Sequence, residues 1–121
     1  MASIELTDEN FEQTVLQSGI TFVDFWAEWC GPCRMFAPIY EQASEENTDI
    51  RFGKVDTESE ALLAASASIT SIPTLMAFRD GVLLFREAGA LPKQSLDQLI
   101  AAIRAVDMDD IRAQIAANQS E

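Results

Sequence analysis

The stretch Val23-Asp24-Phe25-Trp26-Ala27-Glu28-Trp29-Cys30-Gly31-Pro32-Cys33 changes character partway through, and both cysteines of the chain lie at the change. Residues 20–26 are nearly all apolar and β-prone, which predicts a central strand covered on both faces. Beyond the cysteines, Met35, Phe36, Ile39, Tyr40 and Ala43 repeat at helical spacing, and Pro38 inside the run predicts a kink. Two residues between the cysteines leave the sulfurs close enough to bond. A helix beginning at Cys30 would aim unpaired amide N–H groups and the positive end of its dipole at that sulfur, favouring the thiolate. The stretch therefore reads as a dithiol that opens and closes a disulfide at a strand-to-helix junction.

Cys-x-x-Cys is also half of a zinc site, and two nearby cysteines can be inert buried hydrophobes. A zinc site needs four ligands, and this chain has no second cysteine pair and no histidine. Carboxylates would have to complete it, which suits structural zinc poorly. Redox chemistry is the better reading, and no metal is expected.

Outward from the motif, the elements alternate in type. Residues 3–6 predict a short edge strand. Thr7 is a candidate N-cap for a helix over 8–17 with Phe11, Val15 and Leu16 facing inward. Residues 51–56 alternate like a strand, and Thr57-Glu58-Ser59-Glu60 fits a capping box opening a helix that carries Leu62 and Leu63. Residues 74–79 and 82–86 are β-prone runs separated by Asp80-Gly81, a strong hairpin signal. A helix over 94–106 then carries Leu96, Leu99, Ile100 and Ile103 on one face. The order β-α-β-α-β-α-β-β-α predicts an α/β fold in three layers, α/β/α, around a mixed central sheet with an antiparallel hairpin at one edge.

With 121 residues and 48% apolar composition, the chain can bury a core without a disulfide staple. No apolar run reaches the length of a membrane span, and residues 1–6 lack the pattern of a secretory signal, so a cytoplasmic protein with no membrane partner is expected. A cysteine pair persisting there is expected to be catalytic rather than structural. The net charge of −12 repels phosphate backbones and argues against nucleic acid. Glu45, Glu46, Asp49, Asp56, Glu58 and Glu60 fall near element ends, where they serve solubility or guide the choice of partner. No G-x-G-x-x-G run is present to cradle a dinucleotide.

Over residues 3–106 the chain resembles thioredoxins of the bacterial type. The resemblance rests on the opening stretch, then Lys54, Ile72-Pro73-Thr74, Asp80-Gly81 and Gly89-Ala90, in that order. Gly-Pro between the cysteines is similar to the reducing thioredoxins rather than to oxidising or isomerising relatives, which usually carry a histidine there. The resemblance implies a protein-disulfide reductase in which Cys30, at the helix start and more exposed, is the nucleophile and Cys33 resolves the mixed disulfide. Asp24, the odd carboxylate in an apolar strand, is then a proton acceptor beneath Cys33, with Lys54 moderating its charge. On the residues alone Asp24 could instead be a strand residue facing solvent.

Pro73 is a strand-start proline on the residues alone. The resemblance makes its peptide bond cis and leaves the backbone of Ile72 and Thr74 free for a client in extended form. Trp29, Gly31, Pro32, Ile72, Pro73, Gly89 and Ala90 would then surround Cys30 as a substrate-binding surface, while Trp26 is packing. No bound cofactor is expected, since the resemblance has the disulfide reduced by NADPH through a thioredoxin reductase. Disulfide-containing client proteins are the other implied partners, and a monomer is expected. The competing reading is an interaction module of the same fold that binds a partner without turnover.

Two features depart from the family. Arg34 stands where many relatives place lysine, keeping the charge. Residues 107–121 extend past the usual end as an acidic tail, in which Met108, Ile111 and Ile115 are spaced for a short helix or a continuation of the last one; the alternative is a frayed terminus.

Overall fold

In the computed structural model, residues 2–119 are described. Five strands and five helices follow one another as β1 (Ile4–Glu5), α1 (Phe11–Val15), β2 (Ile20–Trp26), α2 (Gly31–Glu46), β3 (Arg51–Asp56), α3 (Ala61–Ser66), β4 (Thr74–Arg79), β5 (Val82–Ala88), α4 (Lys93–Ala105) and α5 (Met108–Gln119). The strands form one mixed sheet in the order β1-β3-β2-β4-β5. β2 is parallel to β3 and antiparallel to β4, and β1 is parallel to β3 at the edge. The predicted α/β class and mixed sheet are therefore present.

β2 is buried over almost its whole length, and its side chains alternate between two cores. Phe22 packs with Phe36, Tyr40 and Ala43 of α2 and with Leu96, Ile100 and Ile103 of α4. Val23 and Phe25 pack on the other face with Val15, Val55 and Met76, flanked by Phe11 and Leu63. That alternation creates the three layers and puts Asp24 and Trp26 on the α2 side.

The hairpin forms where Asp80-Gly81 predicts it. Both residues have positive φ, 53° and 81°, as a turn matched to the twist of the strands requires. The Asp80 carboxylate also accepts the Gly19 N–H at 2.8 Å, tying the hairpin to the start of β2.

Several local expectations are corrected. α1 is only one turn and a half long, its N-cap is Asn10 rather than Thr7, and Leu16 lies past its end and 57% exposed. Thr7 instead opens the turn before it, accepting the Glu9 N–H on its hydroxyl. Met35 is also outside, 73% exposed, because the face of α2 that meets the sheet runs through Cys33, Phe36 and Tyr40.

The capping box does not form. Thr57 donates its hydroxyl to the Trp26 carbonyl, and Asp56 accepts the Glu58 and Ser59 N–H groups, so the chain turns first and α3 begins at Ala61. Leu62 is consequently exposed. α2 continues through Pro38 without a break. Val106 is extended and separates α4 from α5, so the described part of the tail takes the short-helix alternative, as a separate helix with Met108 buried.

Candidate active site

The dithiol sits where β2 hands over to α2. Cys30 is the N-cap of α2, with extended backbone, and Pro32 in the first turn removes one of the N–H groups that a helix start leaves unpaired. The Cys33 N–H is another of these groups. It points at Cys30 Sγ, 3.2 Å away.

Cys30 and Cys33 are joined in a disulfide, with their Cα atoms 5.2 Å apart. Both are buried, at 4% and 2% exposure, so the expected contrast in exposure is absent in this oxidised form. What separates them is position, since only Cys30 sits at the cap. Cys30 Sγ also lies 3.7 Å from the Ile72 carbonyl oxygen, an acceptor that a reduced thiol could use and a disulfide sulfur cannot.

Ala27, Cys30 and Cys33 form a small buried cluster flanked by Trp26 and Ile72. Trp26 is thus packing, as expected, and it also carries Lys54, whose Nζ is 4.7 Å from the ring centroid. Asp24 is fully buried, and among the described residues neither of its carboxylate oxygens has a hydrogen-bond partner. Burial pushes its pKa up to about 7, against the pull of the Lys54 charge. It is no solvated strand residue.

Tyr40, the single tyrosine, lies buried on the same face of α2 and donates its hydroxyl to the Gly53 carbonyl at 2.8 Å. Burial and the nearby Asp24 charge hold its phenol well above the usual range. Sequence spacing gave it only a core role, since nothing in a helical repeat announces where a hydroxyl will point.

The remaining predicted residues fall in two groups. Trp29 is 67% exposed, and its indole N–H donates to Glu58 at 2.9 Å. Pro32, Gly89 and Ala90 are exposed, and Gly31 and Ile72 half-buried. Pro73 and Thr74, by contrast, are buried. The Ile72-Pro73 bond is cis. Pro73 gives its carbonyl to the Gly89 N–H at 2.7 Å. Thr74 stands in the ladder between Phe25 and Ala88, so its backbone is not left open to a client as expected. Ile72 is the reachable member of that trio. The sequence places Glu58 only among the acids near element ends; its bond to the Trp29 indole is not legible there, because such an acid looks like any solvated charge.

Among the described residues no group of three or more His, Cys, Asp or Glu side chains is placed to hold a metal, and no helix is long and apolar enough to cross a membrane. The arrangement is that of a redox-active disulfide at a helix N-terminus, with a buried carboxyl poised near neutrality on the strand that leads into it.

Known proteins agree. The family model described as Thioredoxin matches residues 2–102. A Streptomyces coelicolor protein that carries the provisional name thioredoxin 2 is 49% identical over 120 residues, covering 99% of this chain and 90% of its own length. That match runs past the family model and takes in α5. A thioredoxin of Staphylococcus saprophyticus is 41% identical over 83% of this chain and 96% of its own. Thioredoxin 1 of Synechococcus elongatus is 45% identical over 75% of this chain and 87% of its own. The chain belongs to the thioredoxin family, oxidoreductases that act on protein disulfides.

Proposed function

We propose that the chain works as a general protein-disulfide reductase in which Cys30 attacks and Cys33 resolves. The observation that carries this is the position of Cys30 Sγ at the cap of α2, 3.2 Å from the Cys33 N–H. In the reduced form that N–H and the helix dipole favour a thiolate on Cys30. The thiolate attacks one sulfur of a client disulfide; an S–S bond forms to Cys30, and the other client sulfur leaves and takes up a proton. Cys33 then loses its proton and attacks Cys30 Sγ, breaking the mixed disulfide and releasing the second client sulfur. Two electrons have passed to the client, and the protein is left with its Cys30–Cys33 bond.

Asp24 accepts the Cys33 proton in this reading. Its pKa of about 7 keeps both of its forms populated at neutral pH, as a general base needs, and Lys54 moderates the charge it gains. Trp29, Gly31, Pro32 and Ile72, with Gly89 and Ala90, receive the client. Residues 1–106 are the thioredoxin domain and 107–121 an extension that takes no part in the exchange. Electrons return from NADPH through a flavin-containing thioredoxin reductase, in the cytoplasm, to a protein acting as a monomer.

Mixing the protein with NADPH, a thioredoxin reductase and a disulfide-bonded test protein should consume NADPH in proportion to the thiols released. A protein that bound the test protein without NADPH consumption would instead be an interaction module.

A further inference from the structure

Trp29 lines two unlike depressions. One is uncharged, with Ile72, Ile69 and Ala64 beside hydroxyl side chains; the other, of about 420 Å³, is lined by Glu28, Asp56 and Glu58 together with Arg34. Trp29, which lines both, is the residue before Cys30 in the chain.

The charge of the acidic depression is only partly offset, because most of the chain's other cations are committed elsewhere. Of the 8 basic residues, Lys93, Arg104 and Arg112 are ion-paired with Glu46, Asp97, Asp49, Asp109 and Asp80. Arg51, Arg79 and Arg86 spend their guanidinium groups on backbone carbonyls, and Lys54 lies over Trp26 in a separate depression that it shares with Asp56. Arg34 lines the acidic depression itself, whose three carboxylates leave a net negative charge there. Among the described residues, no salt bridge engages Glu28, Asp56 or Glu58. Glu58, moreover, accepts from the exposed indole, so its charge is fixed beside Trp29.

We infer that this reductase selects client disulfides flanked by lysine or arginine, reading the basic side chain with Glu28, Asp56 and Glu58 beside Trp29. The inference rests on the reductase reading and adds the class of client. Opposite charges within reach raise the rate of encounter, and like charges suppress it. Clients with acidic flanks are therefore disfavoured.

The test uses the reduced full-length protein and three disulfide-bonded peptides that differ only in the residues flanking one cysteine: lysine, serine or glutamate. Second-order rates of peptide reduction are expected in the order lysine, serine, glutamate. The lysine-to-glutamate ratio should be on the order of tenfold at low salt and fall to within about twofold at 0.5 M salt, where screening is short-ranged.

Glu28→Gln and Glu58→Gln should each lower the low-salt ratio by about twofold to threefold; glutamine at 58 keeps an acceptor for the indole. Glu45→Gln removes the same charge on the far part of α2, about 20 Å along the helix, and should not change the ratio. Equal rates for the three peptides at low salt would overturn the inference while leaving the reductase reading intact. So would a Glu45→Gln effect as large as the other two, which would assign the preference to overall charge. Failure to reduce any of the peptides would overturn the reductase reading itself.

Discussion

Asp24 and Lys54 stand opposite each other on the parallel strands β2 and β3, yet among the described residues no salt bridge joins them. The Lys54 ammonium lies over the Trp26 ring instead. Asp24 thus feels a positive charge without receiving a hydrogen bond from it. Burial wins, and the carboxyl titrates at about 7 rather than at its usual acid value.

A raised carboxyl pKa fixes the sign of a stability change with pH. Below the unfolded value of about 3.9, Asp24 is neutral in both states and costs nothing electrostatically. Between there and about 7 the unfolded chain ionises while the fold holds its proton, so stability falls with rising pH and levels off above the folded pKa. Asp24→Asn should therefore melt higher at pH 8 by the equivalent of a few kcal/mol, and no higher at pH 3.

The same variant should slow release of the mixed disulfide. In the wild type, Asp24 must be ionised to take the Cys33 proton, so the resolving rate should rise with pH through about 7. Stopped-flow measurement should find that rise missing in Asp24→Asn. An unchanged pH profile would mean that the proton leaves by another route.

Gly53 is predicted to be irreplaceable for a packing reason. A Cβ there would come within 2.8 Å of Leu6 Cγ and closer still to Cδ1, and Leu6 is only 1% exposed. Gly53→Ala should cost about 2 kcal/mol in denaturant unfolding. Gly31→Ala, where nothing lies within 4 Å, should be neutral or slightly stabilising in the first turn of α2.

Truncation after Val106 separates the tail from the chemistry. Met108 is 6% exposed, Ile111 and Ile115 are half-buried, and Arg112 reaches the hairpin residue Asp80 at 3.7 Å. Removal should cost about 2 to 3 kcal/mol, mostly the burial of these side chains, while leaving the rate of disulfide reduction unchanged. The exposed ion pair contributes little of that.

The fold was legible because its largest signals are periodic: a continuous apolar strand at 20–26, a helical repeat after Cys33, and Asp80-Gly81 between two β-prone runs. The cysteines and Asp24 were legible because each departs from its surroundings. What escaped was decided at close range. Thr57 met the Trp26 carbonyl instead of capping a helix, and Asp56 took the N–H groups that a capping box would have claimed. Leu16 and Met35 fit apolar patterns whose buried arc was narrower than the pattern. Glu58 became the partner of Trp29 across a contact between residues 29 apart, which no local pattern encodes.

The central claim is the division of labour between the two sulfurs. Cys33→Ser, mixed in reduced form with a disulfide-bonded client, should accumulate a covalent adduct through Cys30, visible by intact mass and reversed by dithiothreitol, because nothing is left to resolve it. Cys30→Ser should form no adduct, since Cys33 lacks the helix cap that makes Cys30 reactive. Equal trapping by both variants, or trapping by Cys30→Ser alone, would contradict the assignment.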